Sequence, residues 1–219
     1  MTSAIAISNL VFQYGREGFA LTCPRLEFAP GGLSLITGPN GSGKTTLSKL
    51  MCGILQPKQG EVRIFGQPAA ALSLGRIGSQ VGYLFQNPAR QLFAGTVWKE
   101  MTWAADLLGE ERERSSRKAE GLLERFGLAD LKERSVYYLS GGEKQRLAIC
   151  TLLMGDARFL VLDEPTVGLD RPNREVLYAI IDDLLAEGRG LAVITHEAEL
   201  FRRFAEARRI RVENGQVTS

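Results

Sequence analysis

The sequence predicts an α/β fold in which helices surround a mostly parallel sheet. A glycine-rich loop at residues 38–45 follows an apolar segment, Leu33–Thr37, that is suited to a buried strand. Phe159–Asp163 is a near-continuous apolar run, which is typical of a parallel strand buried on both faces. Helical spacing at residues 172–186 and a further apolar strand at 191–195 repeat the alternation of helix and strand.

The start of the chain indicates an N-terminal antiparallel β subdomain. Apolar residues recur between residues 5 and 12, which predicts one strand, and residues 21–28 predict a second strand. Residues 15–18 provide a turn between the two strands, and the Pro-Gly-Gly sequence at 30–32 ends the second one. The strand predicted at Leu33–Thr37 then leads directly into the glycine loop.

The middle of the chain predicts an inserted α-helical subdomain. Residues 45–52 indicate a helix, and 61–65 and 81–85 indicate two more strands. Between about 97 and 134 the pattern becomes helical, with Trp98, Met101 and Ala105 at helical spacing. We therefore predict one domain over residues 1–219 with a helical subdomain at about 90–155. Residues 207–217 add a short strand and a turn.

Composition argues against several classes of protein. The net charge of +2 gives no bulk indication of a nucleic-acid binder. No segment approaches the roughly 20 apolar residues that span a bilayer, and the sequence from Met1 lacks the pattern of a signal peptide. Cys23, Cys52 and Cys150 are widely spaced, so we expect reduced thiols and neither a disulfide framework nor a zinc site. A cytoplasmic location is expected.

The glycine loop has the pattern of a phosphate-binding loop between a strand and a helix. Its glycines allow backbone N–H groups to turn inward on a triphosphate. Lys44 is expected to reach the β and γ phosphates, and the Thr45 hydroxyl to coordinate magnesium. The alternative is a glycine-rich turn that binds no ligand. The predicted nucleotide-binding residues here are Gly38, Pro39, Asn40, Gly41, Ser42, Gly43, Lys44, Thr45 and Thr46.

Two carboxylates and the only histidine follow predicted parallel strands. Asp163 ends one strand and is followed by Glu164, while His196 follows the strand at 191–195. The carboxyl ends of parallel strands are where α/β proteins bind ligands. We therefore predict that Asp163 holds magnesium through water, that Glu164 polarises the attacking water, and that His196 is functional. The alternatives are a solvated acidic pair and a structural histidine.

The order of these motifs resembles the ATP-binding cassette (ABC) ATPases, and the resemblance covers essentially the whole chain. The segment 139–146, Leu-Ser-Gly-Gly-Glu-Lys-Gln-Arg, resembles the signature of that family. The other positions that carry the resemblance are Tyr14, the loop Gly38 to Thr45, Gln86, Asp163, Glu164, the Gly168-Leu169-Asp170 segment and His196. The expected fold is therefore a P-loop NTPase of the ABC type.

The resemblance implies ATP hydrolysis with Mg²⁺ by two chains that share two sites. Tyr14 would stack on adenine, although an aromatic at a strand end can simply be packing. Gln86 would touch magnesium and the coupling interface, and Asp170 would lie in the loop that connects the sites. The γ-phosphate held by the other protomer would be bound by Ser140 and Gly142, within the signature residues Ser140, Gly141, Gly142 and Glu143.

The segment from Gln86 to Phe93 resembles the energy-coupling factor subgroup, whose ATPases drive importers of vitamins, cobalt or nickel. In that subgroup the segment cradles cytoplasmic helices of a membrane-embedded coupling protein. Leu92, Phe93 and Trp98 are therefore either partner contacts or core residues of the helical subdomain. The closest alternative is the ATPase of an exporter, or of an importer that uses a separate binding protein.

The sequence thus predicts an ATPase subunit that energises an importer from the cytoplasmic face of the membrane, where it binds peripherally. Its expected partners are a second ATPase subunit, identical or closely related, an integral membrane coupling protein and a substrate-binding membrane subunit. A cassette that clamps DNA would have a long coiled coil or a second cassette, and this sequence shows neither pattern. We therefore expect no nucleic-acid partner. A small-molecule kinase would also use the phosphate loop, but that function would not account for the signature segment or for His196.

Overall fold

The computed structural model describes residues 3–109 and 111–219, apart from the side chain of Leu108, so Met1 lies outside the described residues. The chain forms two compact units. The first consists of the described part of Met1–Tyr83 together with Ala157–Glu164 and Asp182–Ser219. The second consists of Leu84–Asp156 and Pro165–Ile181, with position 110 outside the description.

Ten strands of the described chain form one sheet. In chain order they are β1 Ile5–Gln13, β2 Ala20–Phe28, β3 Leu33–Thr37, β4 Gln59–Ile64, β5 Gln67–Pro68, β6 Val81–Leu84, β7 Phe159–Asp163, β8 Gly190–Ile194, β9 Arg208–Glu213 and β10 Gln216–Thr218. Their order across the sheet is β5-β4-β1-β2-β10-β9-β3-β8-β7-β6. The α-helices are α1 Lys44–Met51, α2 Leu74–Gly78, α3 Val97–Leu108, α4 Arg112–Arg125, α5 Gly141–Met154, α6 Arg171–Ala186 and α7 Ala198–Arg203.

One half of the sheet contains the parallel strands, which confirms the predicted α/β class. β3 pairs in parallel with β8 and β9, and β7 pairs in parallel with β8. Every residue of β7 and β8 is buried, as the apolar runs predict. The register places Asp163 opposite Ile194, so β7 and β8 end at one edge of the sheet, and β3 ends beside β8.

The antiparallel N-terminal strands belong to this same sheet. β1 pairs antiparallel with β2 and β4, as predicted for the start of the chain. β10 then pairs in parallel with β2 and antiparallel with β9, which joins the antiparallel strands to the parallel ones. Local patterning cannot reveal this junction, because the paired residues Gln216 and Thr22 are far apart in the sequence.

The second unit is largely helical. Thr96 caps α3 by accepting a hydrogen bond from the Lys99 amide. The Glu100 carboxylate is buried and accepts hydrogen bonds from the backbone amides of Phe93 and Ala94, which fixes the segment before α3. No helix in the described ranges is long and apolar enough to cross a membrane.

Candidate active site

The backbone of the phosphate loop has a shape that only glycine permits at two positions. Gly38 has φ 151°, and a Cβ atom there would lie 1.8 Å from the Val212 carbonyl oxygen of β9. Gly43 has φ 111°, and its Cβ would lie 2.6 Å from Leu21 Cδ1. Both positions combine a left-handed backbone with a close neighbour, so any side chain would force the loop out of place.

The N-terminus of α1 faces this loop without a side-chain cap. Gly43 is the N-cap residue and makes no side-chain hydrogen bond, and the first turn contains no acidic residue. An uncapped helix start leaves backbone N–H groups and positive potential for an anion. Beside it, an open cavity of about 430 Å³ is lined by Phe19, Ala20, Pro39, Asn40, Gly41, Ser42 and Asn214.

Lys44 is folded back onto the loop. Its Nζ donates to the carbonyl oxygens of Gly38 at 2.7 Å and of Pro39 at 2.9 Å. Burial lowers the pKa of Lys44, while the nearby carboxylates of Glu164 and Asp163 oppose that shift. The ammonium group can exchange these two neutral carbonyl acceptors for phosphate oxygens, which are charged acceptors.

Asp163 is almost fully buried beside the loop. Its Oδ2 accepts hydrogen bonds from the hydroxyls of Thr45 at 2.8 Å and Tyr83 at 3.3 Å. Its Oδ1 is buried and has no hydrogen-bond partner in the described part of the chain. Burial raises the pKa of Asp163, and the two hydroxyls oppose this rise. An unsatisfied carboxylate oxygen next to a threonine hydroxyl is a hard-oxygen donor set that fits Mg²⁺.

Glu164 has an unusual backbone for a residue with a side chain. Its φ is 53°, and its amide donates to the Ile194 carbonyl at 3.0 Å, so the end of β8 holds this left-handed conformation. Its Oε1 lies 3.2 Å from His196 Nε2, which joins the two strand ends through their side chains. Burial raises the pKa of Glu164, and the interaction with His196 opposes that rise.

The geometry of this pair predicts a pH dependence. A carboxylate base works only when ionised, so the hydrolysis rate should fall as pH decreases through a pKa above the ordinary glutamate value. Because His196 lowers the pKa of Glu164, His196→Ala should move this acidic limb to higher pH. The measurement is a pH–rate profile of kcat, with Glu199→Gln on α7 as control. An acidic limb that stays in place in His196→Ala would contradict the coupling.

The signature residues start α5 in the second unit. Ser140 Oγ accepts a hydrogen bond from the Glu143 amide at 3.3 Å, and Glu143 Oε2 accepts one from the Ser140 amide at 2.6 Å. That backbone hydrogen bond lowers the pKa of Glu143. The reciprocal pair is a capping box, which gives both residues a structural role. Ser140 and Gly141 are nevertheless exposed, so this helix start is accessible to another molecule.

The predicted site residues therefore fall into two groups. The first unit contains Tyr14, the loop from Gly38 to Thr46, Asp163, Glu164 and His196. The second contains Gln86, Ser140, Gly141, Gly142, Glu143 and Asp170. Tyr14 is exposed and packs edge-on against Phe12, with ring centroids 4.8 Å apart, so stacking on adenine stays a prediction.

Sequence reasoning missed two aromatic residues of the first unit. Tyr83 on β6 donates to Asp163 and also lies 3.1 Å from Ser48 Oγ. Phe19 lines the cavity beside the loop and lies against Gly43. The sequence could have indicated Tyr83 because it places a phenolic hydroxyl near the end of a predicted buried strand. For Phe19, the sequence offers only its position directly before β2.

Comparison with known proteins decides the family. The family model described as ABC transporter matches residues 21–167. The chain belongs to the ABC transporter family. It is 36% identical over 195 residues to an energy-coupling factor transporter ATP-binding protein of Thermotoga maritima, covering 89% of this chain and 73% of that protein. It is 33% identical over 219 residues to another such protein of Methanospirillum hungatei, covering 99% of this chain and 55% of that one.

Solved structures agree with this assignment. One is cbiO1 of Clostridium perfringens, part of the ABC transporter complex cbiONQ, with a TM-score of 0.81 and 25% identity over 100% of this chain and 88% of that one. Another is a dimeric ATP-binding cassette in a post-hydrolysis state, bound to ADP and Pi. Its TM-score is 0.85 and its sequence identity 25%, and the match covers 98% of this chain and 97% of that one. This ABC ATPase is thus an ATP-binding subunit with energy-coupling-factor relatives, and the predicted ATPase activity is confirmed.

Proposed function

We propose that this ABC ATPase drives an energy-coupling-factor importer for a vitamin or a transition metal. The observation that carries the proposal is its likeness to energy-coupling factor ATP-binding proteins over most of the chain. A relative in Bacillus subtilis, 32% identical over 94% of this chain and 37% of that protein, is named as a putative HMP/thiamine import ATP-binding protein. The chain would work peripherally at the cytoplasmic face of the membrane, without nucleic acid.

The first unit would carry out the chemistry on ATP. Lys44 would leave the loop carbonyls and bind the β and γ phosphates, together with the N–H groups at the start of α1. Thr45 and Asp163 would hold Mg²⁺, with Gln86 as a further contact. The metal would neutralise negative charge on the phosphates. Glu164, kept in place by the end of β8, would orient the attacking water and accept its proton, and His196 would hold the carboxylate.

A second ATPase subunit would complete each site. Within the signature residues Ser140, Gly141, Gly142 and Glu143, Ser140 and Gly142 would bind the γ-phosphate held by the partner. The exposure of Ser140 and Gly141 at the N-terminal end of α5 suits this role. Asp170 would lie in the loop between the two sites. The dimeric post-hydrolysis cassette supports this arrangement by analogy. ATP would hold the two subunits together, and hydrolysis would release them.

An aromatic surface on the second unit would bind the membrane coupling protein. Phe93 and Trp103 are 55% and 40% exposed, and their rings meet edge to face at 4.9 Å. Leu107, on the same helix α3, is 72% exposed. Leu92, in contrast, is buried and belongs to the core, and Trp98 is half-buried under the Lys132 ammonium. Exposed aromatic pairs of this kind often mark protein interfaces.

The test is co-purification of the tagged chain from detergent-solubilised native membranes. We expect an integral coupling protein and a small substrate-binding membrane subunit. Phe93→Ala with Trp103→Ala should weaken the association about 1,000-fold, since interface aromatics each contribute about 2 kcal/mol and the double variant removes two of them. Leu74→Ala, which removes an exposed leucine of α2, is the control. Recovery of permease halves alone would favour an exporter or a binding-protein-dependent importer. Unchanged association of the double variant would contradict the surface.

A further inference from the structure

A chain of side-chain hydroxyls connects helix α1 to the carboxylate of Asp163. Ser48 on α1 is fully buried, and its Oγ donates to the Thr45 carbonyl at 2.9 Å. The same Oγ lies 3.1 Å from the Tyr83 hydroxyl, which in turn lies 3.3 Å from Asp163 Oδ2. The Thr45 hydroxyl donates to that carboxylate oxygen as well, at 2.8 Å. Asp163 is therefore held by one hydroxyl from α1 and by one from strand β6.

The hydrogen of the Tyr83 hydroxyl has two acceptors within reach, Ser48 Oγ and Asp163 Oδ2. A phenol keeps its proton at neutral pH and has one hydrogen to donate. Hydrogen bonds to an ionised acceptor are about twice as strong as those between neutral groups, so the Asp163 carboxylate takes this hydrogen. Ser48 can then give its own hydrogen to the Tyr83 oxygen or to the Thr45 carbonyl. The donors of the chain therefore point towards Asp163.

Packing fixes the position of the Tyr83 ring. Tyr83 lies on β6, which neighbours β7 in the sheet, and its side chain packs half-buried against the hydrophobic core of the first unit. Asp163 is the last residue of β7, so the phenol reaches the carboxylate from the adjacent strand. A side chain that is carried by a strand and packed along its ring holds its polar tip in one place. The hydroxyl is thus already in position before any ligand binds.

The two hydroxyls engage one oxygen of the Asp163 carboxylate and leave the other. Oδ2 accepts both hydrogen bonds, whereas Oδ1 is buried and has no hydrogen-bond partner within the described ranges. The terminal torsion of an aspartate is broad, so its carboxylate turns unless neighbouring groups hold it. Thr45 is itself proposed to bind Mg²⁺. Tyr83 is therefore the hydroxyl that can hold the carboxylate independently of the metal.

We propose that Tyr83 is a positioning residue of the magnesium site, which holds Asp163 by Oδ2 and so keeps Oδ1 available to the cation that accompanies ATP. The hydrogen-bond partners of metal-binding side chains typically contribute about 10- to 100-fold to metal affinity or activity. The effect of Tyr83 should be confined to the part of the ATP affinity that depends on Mg²⁺. This inference rests on the proposed role of Asp163 in holding that metal.

The test titrates the purified full-length chain with a fluorescent ATP analogue, once with Mg²⁺ and once with EDTA. The ratio of the two dissociation constants is the gain in affinity that the metal supplies. Tyr83→Phe removes only the hydroxyl, and Tyr83→Met, which fills the space without a ring, is a second variant if the first folds poorly. Asp163→Asn removes the charge of the carboxylate itself. Tyr178→Phe is the matched control, because it removes the hydroxyl of a buried tyrosine on α6 in the second unit.

We expect Tyr83→Phe to reduce the metal-dependent gain about tenfold and to leave the affinity in EDTA within about twofold of the wild type. Tyr83→Met should show the same pattern, Asp163→Asn should lose at least as much of the gain, and Tyr178→Phe should match the wild type. An affinity that falls equally with Mg²⁺ and with EDTA would give Tyr83 a merely structural role and overturn the inference.

Two further outcomes separate this inference from the magnesium site on which it rests. A full gain in Tyr83→Phe, beside a reduced gain in Asp163→Asn, would keep the site and overturn the role of Tyr83. A gain that Asp163→Asn leaves intact would overturn the proposed magnesium site itself. Neither outcome depends on the membrane partner, which the co-purification tests.

Discussion

Glu164→Gln should reduce ATP hydrolysis by about 100- to 10,000-fold, the usual contribution of a general base. The substitution keeps the size of the side chain and its place beside His196, but the amide cannot accept the proton of the attacking water. ATP binding should persist, since the loop, Lys44 and Asp163 are unchanged. The variant should therefore accumulate as an ATP-bound dimer, whereas the wild type hydrolyses ATP and separates.

Hydrolysis is measured by phosphate release, and the dimer by light scattering during gel filtration with ATP and Mg²⁺. Glu213→Gln on β9 is the control, because it removes an exposed carboxylate paired with Arg211. It should keep wild-type activity and should not trap a dimer. A Glu164→Gln protein that binds ATP and stays monomeric would argue against ATP as the bridge between subunits. Retained hydrolysis would remove Glu164 from the role of base.

Lys44→Ala should weaken ATP binding by about ten- to a hundredfold, because hydrogen bonds to a charged partner contribute about 1.5–3 kcal/mol. Lys44 is the loop cation, and its present contacts with two carbonyls place its ammonium within the loop. The fold should survive, since the variant removes a cation that burial already disfavours.

The affinity is measured by titration with a fluorescent ATP analogue. Lys49→Ala, in the last turn of the same helix α1, serves as the matched control and should bind ATP like the wild type. The thermal unfolding midpoints of both variants are compared to separate lost affinity from lost fold. Unchanged ATP affinity in a folded Lys44→Ala protein would place the lysine outside the phosphate site.

The core of the candidate site could be predicted from the sequence because its signals are local. A phosphate loop is defined by glycines and a lysine within eight residues, and its strand and helix adjoin it. Likewise, Asp163, Glu164 and His196 follow apolar runs, and parallel strands bring such ends to one edge. The depth of burial of Asp163, and its unsatisfied oxygen, follow from packing that a pattern cannot reveal.

The parts that could not be predicted depend on residues distant in sequence. Gly38 must be glycine because the Val212 carbonyl of β9 approaches it. Tyr83 supports Asp163 across neighbouring strands. The Gln145 contact with Pro165 joins α5 to the segment after β7, and nothing in either segment indicates that they meet. The sequence likewise could not tell which of the adjacent apolar residues Leu92 and Phe93 is buried. In the structure Leu92 is buried and Phe93 is exposed.

The most direct measurement of the shared-site arrangement combines two defects in different copies of the Glu164→Gln protein. One copy carries Lys44→Ala, and its loop stays empty at an ATP concentration that fills only the unchanged loop. The other copy carries Ser140→Arg and cannot contact the ATP of a partner. Each copy alone should remain monomeric with ATP and Mg²⁺. Their mixture should form dimers, because the loop of the second copy and the signature of the first make one complete site. Monomers in the mixture, or dimers of either copy alone, would contradict a site built by two chains.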